Sequence, residues 1–198
     1  MSRLPELVAF AQLHNLKIGT IADLIAWRRK NDRFMERRVE APLNSGFGEG
    51  FKTVCFRNAL DNSEHIAIVH GDITPDSTTL VRVHRMDVLS DVLGENGPRQ
   101  GLVGRAMRMI ADADEPGVIV FVNTIRPNVI AERLGLKPSA PADPTAPIRE
   151  YGVGAQILRD LGVRKMIYLS GTQPTRLAGL DGYGLSIEGW RKLDEESN

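Results

Sequence analysis

Cysteine is almost absent from this sequence of 198 residues, which contains Cys55 alone. A single thiol allows no internal disulfide bond and no zinc cage built from cysteines. An excess of charge is also absent, because 25 Lys and Arg residues balance 25 Asp and Glu residues. Since a neutral chain has no field for sequence-independent binding to nucleic acid, we expect no nucleic-acid partner.

Long hydrophobic runs are missing as well. No segment approaches the roughly 18 consecutive apolar residues that a membrane span needs, and the first residues lack the charged-then-apolar order of a signal peptide. Hydrophobic residues nevertheless make up 42% of the chain, which is enough to build a core. The sequence therefore predicts a globular, cytoplasmic protein that does not bind membranes.

The beginning of the chain favours helices. Apolar residues recur near helical spacing over 4–14, and Thr20 is a candidate N-cap for a second helix that ends in Arg28-Arg29-Lys30. Five arginines between residues 27 and 38 indicate either a phosphate or nucleic-acid patch or a solvated helix end, and the interspersed acids favour the second. The Gly-rich segment 46–50 lacks the Gly-Lys-Ser/Thr of a phosphate-binding loop, so we interpret it as a hinge.

Hydrophobic periodicity then predicts an α+β fold: a mixed, largely antiparallel, partly closed sheet flanked by helices. Three strand-like segments follow one another without a helix between them, which implies antiparallel pairing. The residues after a proline-rich loop at 137–147 are too few to fold alone, so they should complete the same sheet. We predict strands at 51–57, 65–70, 79–84, 117–122 and 165–170, helices at 102–113 and 154–161, and a turn feeding a strand at 180–187.

Four tracts of the sequence resemble a known family. They are 149–163, 177–185, Arg82-Val83-His84 and 91–94, and together they are similar to GTP cyclohydrolase II of riboflavin biosynthesis. The resemblance covers roughly residues 50–193. It implies a homodimeric protein with a GTP cyclohydrolase II-like fold, and a pocket for GTP or another phosphate-bearing ligand.

The first helices resemble a second family. Residues 17–25 are similar to the end of dihydroxybutanone phosphate synthase, which in many bacteria is fused ahead of the cyclohydrolase. We therefore expect residues 1–45 to be a helical arm from the end of a synthase domain, and 46–198 to be the cyclohydrolase II-like domain. The resemblance also implies a synthase domain as partner.

The zinc chemistry of the cyclohydrolase family depends on three cysteine thiolates. By resemblance, the positions of those thiolates are Asp87, Pro98 and Gln100, so we predict that the family zinc is absent and that no cofactor is bound. His84, Asp87 and Asp91 could instead form a site for a harder metal, or they are a core histidine beside two surface carboxylates.

Other family positions diverge too. By resemblance, residues 123–128 correspond to the family's nucleotide-recognition tract, of which only Arg126 is kept. Pro147 occupies the position where the family has an aspartate. By resemblance, Arg149 and Tyr151 are residual catalytic residues, just before Gly152-Val153-Gly154. Those glycines indicate either an anion-binding helix start or close backbone packing. The residues expected to bind substrate are Arg82, Arg126, Ser170, Thr172 and Arg176.

These observations lead to competing functional hypotheses. The first is a degenerate cyclohydrolase II domain that no longer opens the guanine ring and acts as a structural, dimerising or regulatory partner of the synthase domain. The alternative is an active nucleotide hydrolase, either a GTP cyclohydrolase or a pyrophosphate-releasing enzyme, that uses Arg149 without the usual zinc. A third hypothesis is a sensor that binds GTP or a flavin.

Overall fold

The structure is a computed structural model that describes residues 4–19, 27, 32–123, 128–137, 146–171 and 180–193, with the backbone alone at 4, 146–151 and 181. The chain forms two compact units, residues 1–33 and 34–198. In the first unit, helix α1 spans Leu4–Leu13 and confirms the first predicted helix, while the second predicted helix lies outside the described residues. Among the described helices, none is both long enough and apolar enough to cross a membrane.

The second unit is built on one mixed sheet. Its strand order is β1-β2-β3-β5-β4-β6-β7, with three antiparallel pairs on the β1 side and three parallel pairs on the β7 side. The strands are β1 (Met35–Ser45), β2 (Gly48–Asn58), β3 (Glu64–His70), β4 (Thr78–Arg85), β5 (Gly117–Val122), β6 (Lys165–Ser170) and β7 (Ser186–Lys192).

Helices connect the parallel strands. The parallel neighbours β4 and β5 are joined through a segment that contains α2 and α3, and β5 leads through α4 and α5 to β6. Such crossovers are what parallel pairing requires, because a tight turn can join only antiparallel strands. The helices are α2 (Val88–Asp91), α3 (Leu102–Ala111), α4 (Val129–Arg133) and α5 (Ala146–Asp160), and a 3₁₀ turn covers Leu180–Tyr183.

The predicted α+β class and mixed sheet are confirmed, with two differences in detail. The sheet is open rather than partly closed, since β1 and β7 form its two edges. Strand β4 does not pair with β3, because β5 inserts between them and runs parallel to β4. As predicted, the residues after the proline-rich loop complete the sheet through β6 and β7.

Strand β1 was not predicted. Residues 35–45, which we had assigned to the helical arm, pair with β2 along their length, and Gly46-Phe47 forms the tight turn of this hairpin rather than a hinge. Most of β1 is exposed on both faces, so its sequence lacks the alternation that marks a half-buried strand. The second compact unit accordingly begins at Phe34, before the domain boundary that we predicted.

The core lies on both faces of the sheet. Successive residues of a strand point to opposite faces, and Leu80 packs in a cluster with α3 while Val81 packs in a cluster with α5. Both side chains are fully buried. The α3 face therefore carries Arg82 and His84, which follow Leu80 at two-residue intervals towards the carboxyl end of β4.

Candidate functional site

A hydrogen-bonded chain of three side chains occupies the carboxyl end of β4. Arg82 donates from Nη2 to Nδ1 of His84 over 3.1 Å, and from Nη1 to the carbonyl oxygen of Leu169 on β6 over 3.1 Å. Because a guanidinium only donates, Nδ1 accepts and the proton of His84 resides on Nε2. Nε2 donates to Oδ2 of Asp91 over 2.8 Å, so both ring nitrogens are engaged.

Burial sets the charge of this chain. His84 is 1% exposed and Arg82 is 7% exposed. Burial lowers the pKa of His84 below its usual value, and the Arg82 charge adds to this effect against the opposing hydrogen bond to Asp91. Burial also lowers the pKa of Arg82. His84 is thus a neutral positioning group between a cation and a carboxylate, with no nitrogen left to coordinate a metal.

Asp87 is used to begin α2. Its Oδ1 accepts from the backbone N–H groups of Leu89 and Ser90, and its Oδ2 accepts from Nε of Arg133 over 3.3 Å. Partial burial raises the pKa of Asp87, but the hydrogen bonds from Ser90 and Arg133 outweigh burial and hold the pKa below its usual value. Arg133 also pairs with Glu95, which ties α4 to the segment after α2.

The residues at the three thiolate positions do not fit a zinc ion. Asp87 is occupied as a helix cap, Pro98 has no donor atom, and the Gln100 amide donates to the carbonyl oxygen of Gly94 over 3.3 Å. In the described part of the chain, no group of three or more His, Cys, Asp or Glu side chains is arranged to hold a metal ion. A harder metal at His84, Asp87 and Asp91 is not favoured either, because the imidazole and both carboxylates already form hydrogen bonds within the protein.

Two arginines that the sequence analysis missed lie beside Arg82. The charges of Arg99 and Arg105 both lower the pKa of Arg82, after the larger effect of burial. Arg99 donates to the carbonyl oxygen of Arg85 over 2.7 Å, and Nη1 of Arg105 approaches Gly101 at the start of α3. The available signal was a pair of arginines on either side of a glycine at a predicted helix start.

The structure places Ser170 but not the other hydroxyl group predicted to bind substrate. Ser170 ends β6 next to Leu169, and its hydroxyl oxygen accepts from Nε1 of Trp190 on β7 over 2.8 Å. Ser170 on β6 and Arg82 on β4 thus lie on neighbouring strands, which pair in parallel. Arg126, Thr172 and Arg176 lie outside the described residues.

Of the two interpretations of Gly152-Val153-Gly154, the structure supports close backbone packing and not a helix start. Helix α5 begins at Ala146, so Arg149 and Tyr151 lie inside it and the N–H groups of Gly152 to Gly154 are intrahelical. The glycines instead permit close packing, because a Cβ at Gly154 would lie 3.2 Å from Cγ1 of Val83 on β4. The side chains of Arg149 and Tyr151 are outside the described atoms, and their roles stay predictions.

A second buried histidine lies on β3. His65 accepts at Nδ1 from the backbone N–H of Asn123 over 3.2 Å, so its Nε2 donates to Oγ of Ser63 over 3.0 Å. The Ser63 hydroxyl donates in turn to Asp61 over 2.6 Å. Burial lowers the pKa of His65, against an opposing effect of Asp61. The Ser63 hydroxyl proton points to the Asp61 carboxylate and not to the His65 imidazole, so His65 cannot activate Ser63 as a nucleophile.

Sequence comparison finds relatives named for riboflavin biosynthesis. The chain is 44% identical to the monofunctional riboflavin biosynthesis protein RIBA 2, chloroplastic, of Arabidopsis thaliana, over 96% of this chain and 40% of that protein. It is 40% identical to a 3,4-dihydroxy-2-butanone 4-phosphate synthase of Pseudomonas aeruginosa, over 94% of this chain and 51% of that protein. The chain thus spans 40% and 51% of the length of these two relatives.

A solved structure gives the same result. The crystal structure of RibBX, a two-domain 3,4-dihydroxy-2-butanone 4-phosphate synthase from A. baumannii, matches with a TM-score of 0.62 and 32% identity. The match covers 96% of this chain and 50% of that chain. The family model for GTP cyclohydrolase II matches residues 36–192, from β1 to the last residue of β7. The chain therefore belongs to the GTP cyclohydrolase II family.

Proposed function

We propose that this domain is a degenerate GTP cyclohydrolase II domain, a pseudoenzyme of riboflavin biosynthesis that holds no zinc and does not open the guanine ring. Its role is to serve as a structural, dimerising or regulatory partner of a dihydroxybutanone phosphate synthase domain. The observation that carries the proposal is the use of Asp87 as the cap of α2, paired with Arg133, at a position where the family supplies a thiolate.

The surroundings of Asp87 support the same conclusion. A zinc site needs side chains that are free to converge on the ion. Here Gln100 is bonded to Gly94, and Arg99, between Pro98 and Gln100, brings a positive charge next to Arg82. A cation at this place would meet like charges rather than ligands.

The names of two relatives favour the synthase association. The A. baumannii protein is named as a synthase of two domains, and the Arabidopsis protein is named as monofunctional. The first name gives a synthase activity to a longer protein, and the second says that a longer protein has one function without naming it. We infer that this chain likewise works beside a synthase domain rather than as a second enzyme.

Exposed apolar side chains support an association surface. Within the first compact unit, α1 exposes Leu7, Phe10 and Leu13, with Leu13 exposed by 78%. Apolar residues exposed on one short helix are typical of a surface that a partner covers. A synthase domain or a second copy of the chain fits this surface, and homodimer formation remains part of the proposal.

A formate-release assay tests the proposal. The full chain is incubated with GTP and an excess of Zn²⁺, Mg²⁺ or Mn²⁺ in separate reactions, and formate and pyrophosphate are measured. A cyclohydrolase II that carries all three cysteines is the positive control. We expect neither product above the enzyme-free background. Pyrophosphate without formate would favour the alternative nucleotide hydrolase that uses Arg149, and formate at an enzyme-like rate would refute the proposal.

A further inference from the structure

Three arginines converge where α3 begins. Arg82 is buried on β4, Arg99 lies just before α3, and Arg105 lies in the first turns of α3 with its guanidinium folded back towards Gly101. The carbonyl oxygen of Arg85, at the end of β4, holds Arg99 in place. The charges of Arg99 and Arg105 each lower the pKa of Arg82, after the larger effect of burial.

Acids among the described residues compensate these three charges only in part. Within the described part of the chain, none of the three guanidinium groups forms an ion pair with a carboxylate. The nearest carboxylate that affects Arg82 belongs to Asp91, which already accepts from His84 and from the backbone N–H of Asp87. Asp87, whose pKa the Arg99 charge helps to lower, is likewise already bonded to Arg133. The carboxylates near the three positive charges thus have other partners.

Each of the three guanidinium groups also has a buried atom without a partner. The Nε atoms of Arg82, Arg99 and Arg105 are all buried and have no hydrogen-bond acceptor. A buried donor next to a positive charge is costly unless an acceptor satisfies it. A single ligand with several acceptor oxygens could accept hydrogen bonds from all three Nε–H groups.

The start of α3 adds further donors. Gly101 caps the helix with a φ of 65°, and no side chain bonds to the first N–H groups of this ten-residue helix. The first N–H groups of a helix have no intrahelical acceptor, and the helix dipole makes this end positive. The N-terminus of α3 and the three arginines therefore present donors to the same region.

We propose that Arg82, Arg99, Arg105 and the N-terminus of α3 bind a phosphate dianion, either free inorganic phosphate or the phosphate of a monoester. Guanidinium forks match the geometry of phosphate oxygens, and a dianion offsets positive charge that no ion pair with a described carboxylate compensates. The inference rests on the proposed function, since an anion takes the place that the family gives to a cation. It assigns a phosphate-bearing ligand to the domain.

Calorimetric titration of the full chain tests this inference. Inorganic phosphate and glycerol 3-phosphate are titrated in parallel at constant ionic strength into the wild type and into Arg99→Gln and Arg105→Gln. Each substitution removes one charge-assisted contact, so we expect the affinity to fall about tenfold in each variant. Arg108→Gln is the matched control, because Arg108 lies on α3 but stacks over Phe47 instead. This control should bind like the wild type.

The two titrants distinguish the sources of the anion. Tighter binding of glycerol 3-phosphate indicates a phosphate monoester, and equal or weaker binding indicates the free ion. Circular dichroism verifies that every variant is folded. Absence of saturable binding in the folded wild type, or equal losses in Arg105→Gln and Arg108→Gln, overturns the inference. These outcomes are independent of formate release, which bears on the proposed function alone.

Discussion

Asp87 shows how a single side chain changes what a site can do. A carboxylate there satisfies two N–H groups at the start of α2 and pairs with Arg133. A thiolate at the same position would be free to approach a metal ion, whereas the carboxylate is held by bonds on both oxygens. Asp87 therefore stabilises the start of α2 and is not available as a metal ligand.

Two buried histidines make stability depend on pH. Burial lowers the pKa of both His65 and His84 below the usual value near 6.5. As the pH falls below about 6.5, the unfolded chain takes up protons before the folded chain does, so the free energy of unfolding decreases. This stabilising contribution is present above pH 6.5 and is lost as the pH falls through the folded-state values.

Urea unfolding between pH 7.5 and 5.5 measures this effect. Each histidine contributes a slope of up to about 1.4 kcal/mol per pH unit in the window between its two pKa values. His65→Gln keeps an acceptor for Asn123 and a donor for Ser63 but cannot titrate, so its slope should be shallower than that of the wild type. His14→Gln is the control, because His14 is exposed just after α1. Equal slopes in His65→Gln and the wild type would contradict the account.

At the level of secondary structure, α3 and β5 determine how the site is held. Gly117 begins β5 beneath α3, and a Cβ at this position would lie 2.3 Å from Cγ2 of the fully buried Ile110. The glycine lets the helix lie close to the sheet. The N-terminus of α3 is thereby fixed near the carboxyl end of β4, where Arg82 lies.

Gly117→Ala should destabilise the fold. The added methyl group must displace Ile110 or the helix, and overpacking of this kind costs about 1–3 kcal/mol of unfolding free energy. The matched control is Gly189→Ala on β7, where the nearest atom to the added Cβ is Cγ1 of Ile167 at 3.7 Å. Urea unfolding with an unchanged slope should show a lower midpoint for Gly117→Ala only. A similar decrease in both variants would show that close packing at Gly117 is not the cause.

Some elements could be predicted from the sequence and others could not. Strands β5 and β6 were predicted at their observed bounds, since continuous apolar residues mark buried strands. Strand β1 escaped prediction because its charged, exposed residues carry no periodicity. The start of α5 was misplaced because the glycines at 152 and 154 looked like a boundary, although close packing on Val83 requires them inside the helix.

Across the chain, the site was only partly predictable. The identities of Asp87, Pro98 and Gln100 were sufficient to question the zinc site, because ligand chemistry follows from residue type. The cluster of Arg82, Arg99 and Arg105 was not predicted, since it depends on β4 and α3 meeting across the sheet. The order of β5 and β4 in the sheet is likewise a non-local property.

The relatives of this chain are longer proteins. The chain matches 40% and 51% of the length of the two relatives, and the family model covers nearly all of its second compact unit. The origin of the first residues as the end of a synthase domain stays a prediction, as does a cytoplasmic location, although 35–45 form β1 and not part of a helical arm.

The zinc content of the purified full chain tests the central claim most directly. The protein is incubated with excess Zn²⁺, desalted and measured by atomic spectroscopy, beside a cyclohydrolase II that retains its three cysteines. We predict no zinc above the buffer background, because Asp87 is committed to α2 and neither Pro98 nor Gln100 is a suitable ligand. One tightly bound zinc ion per chain would contradict the account.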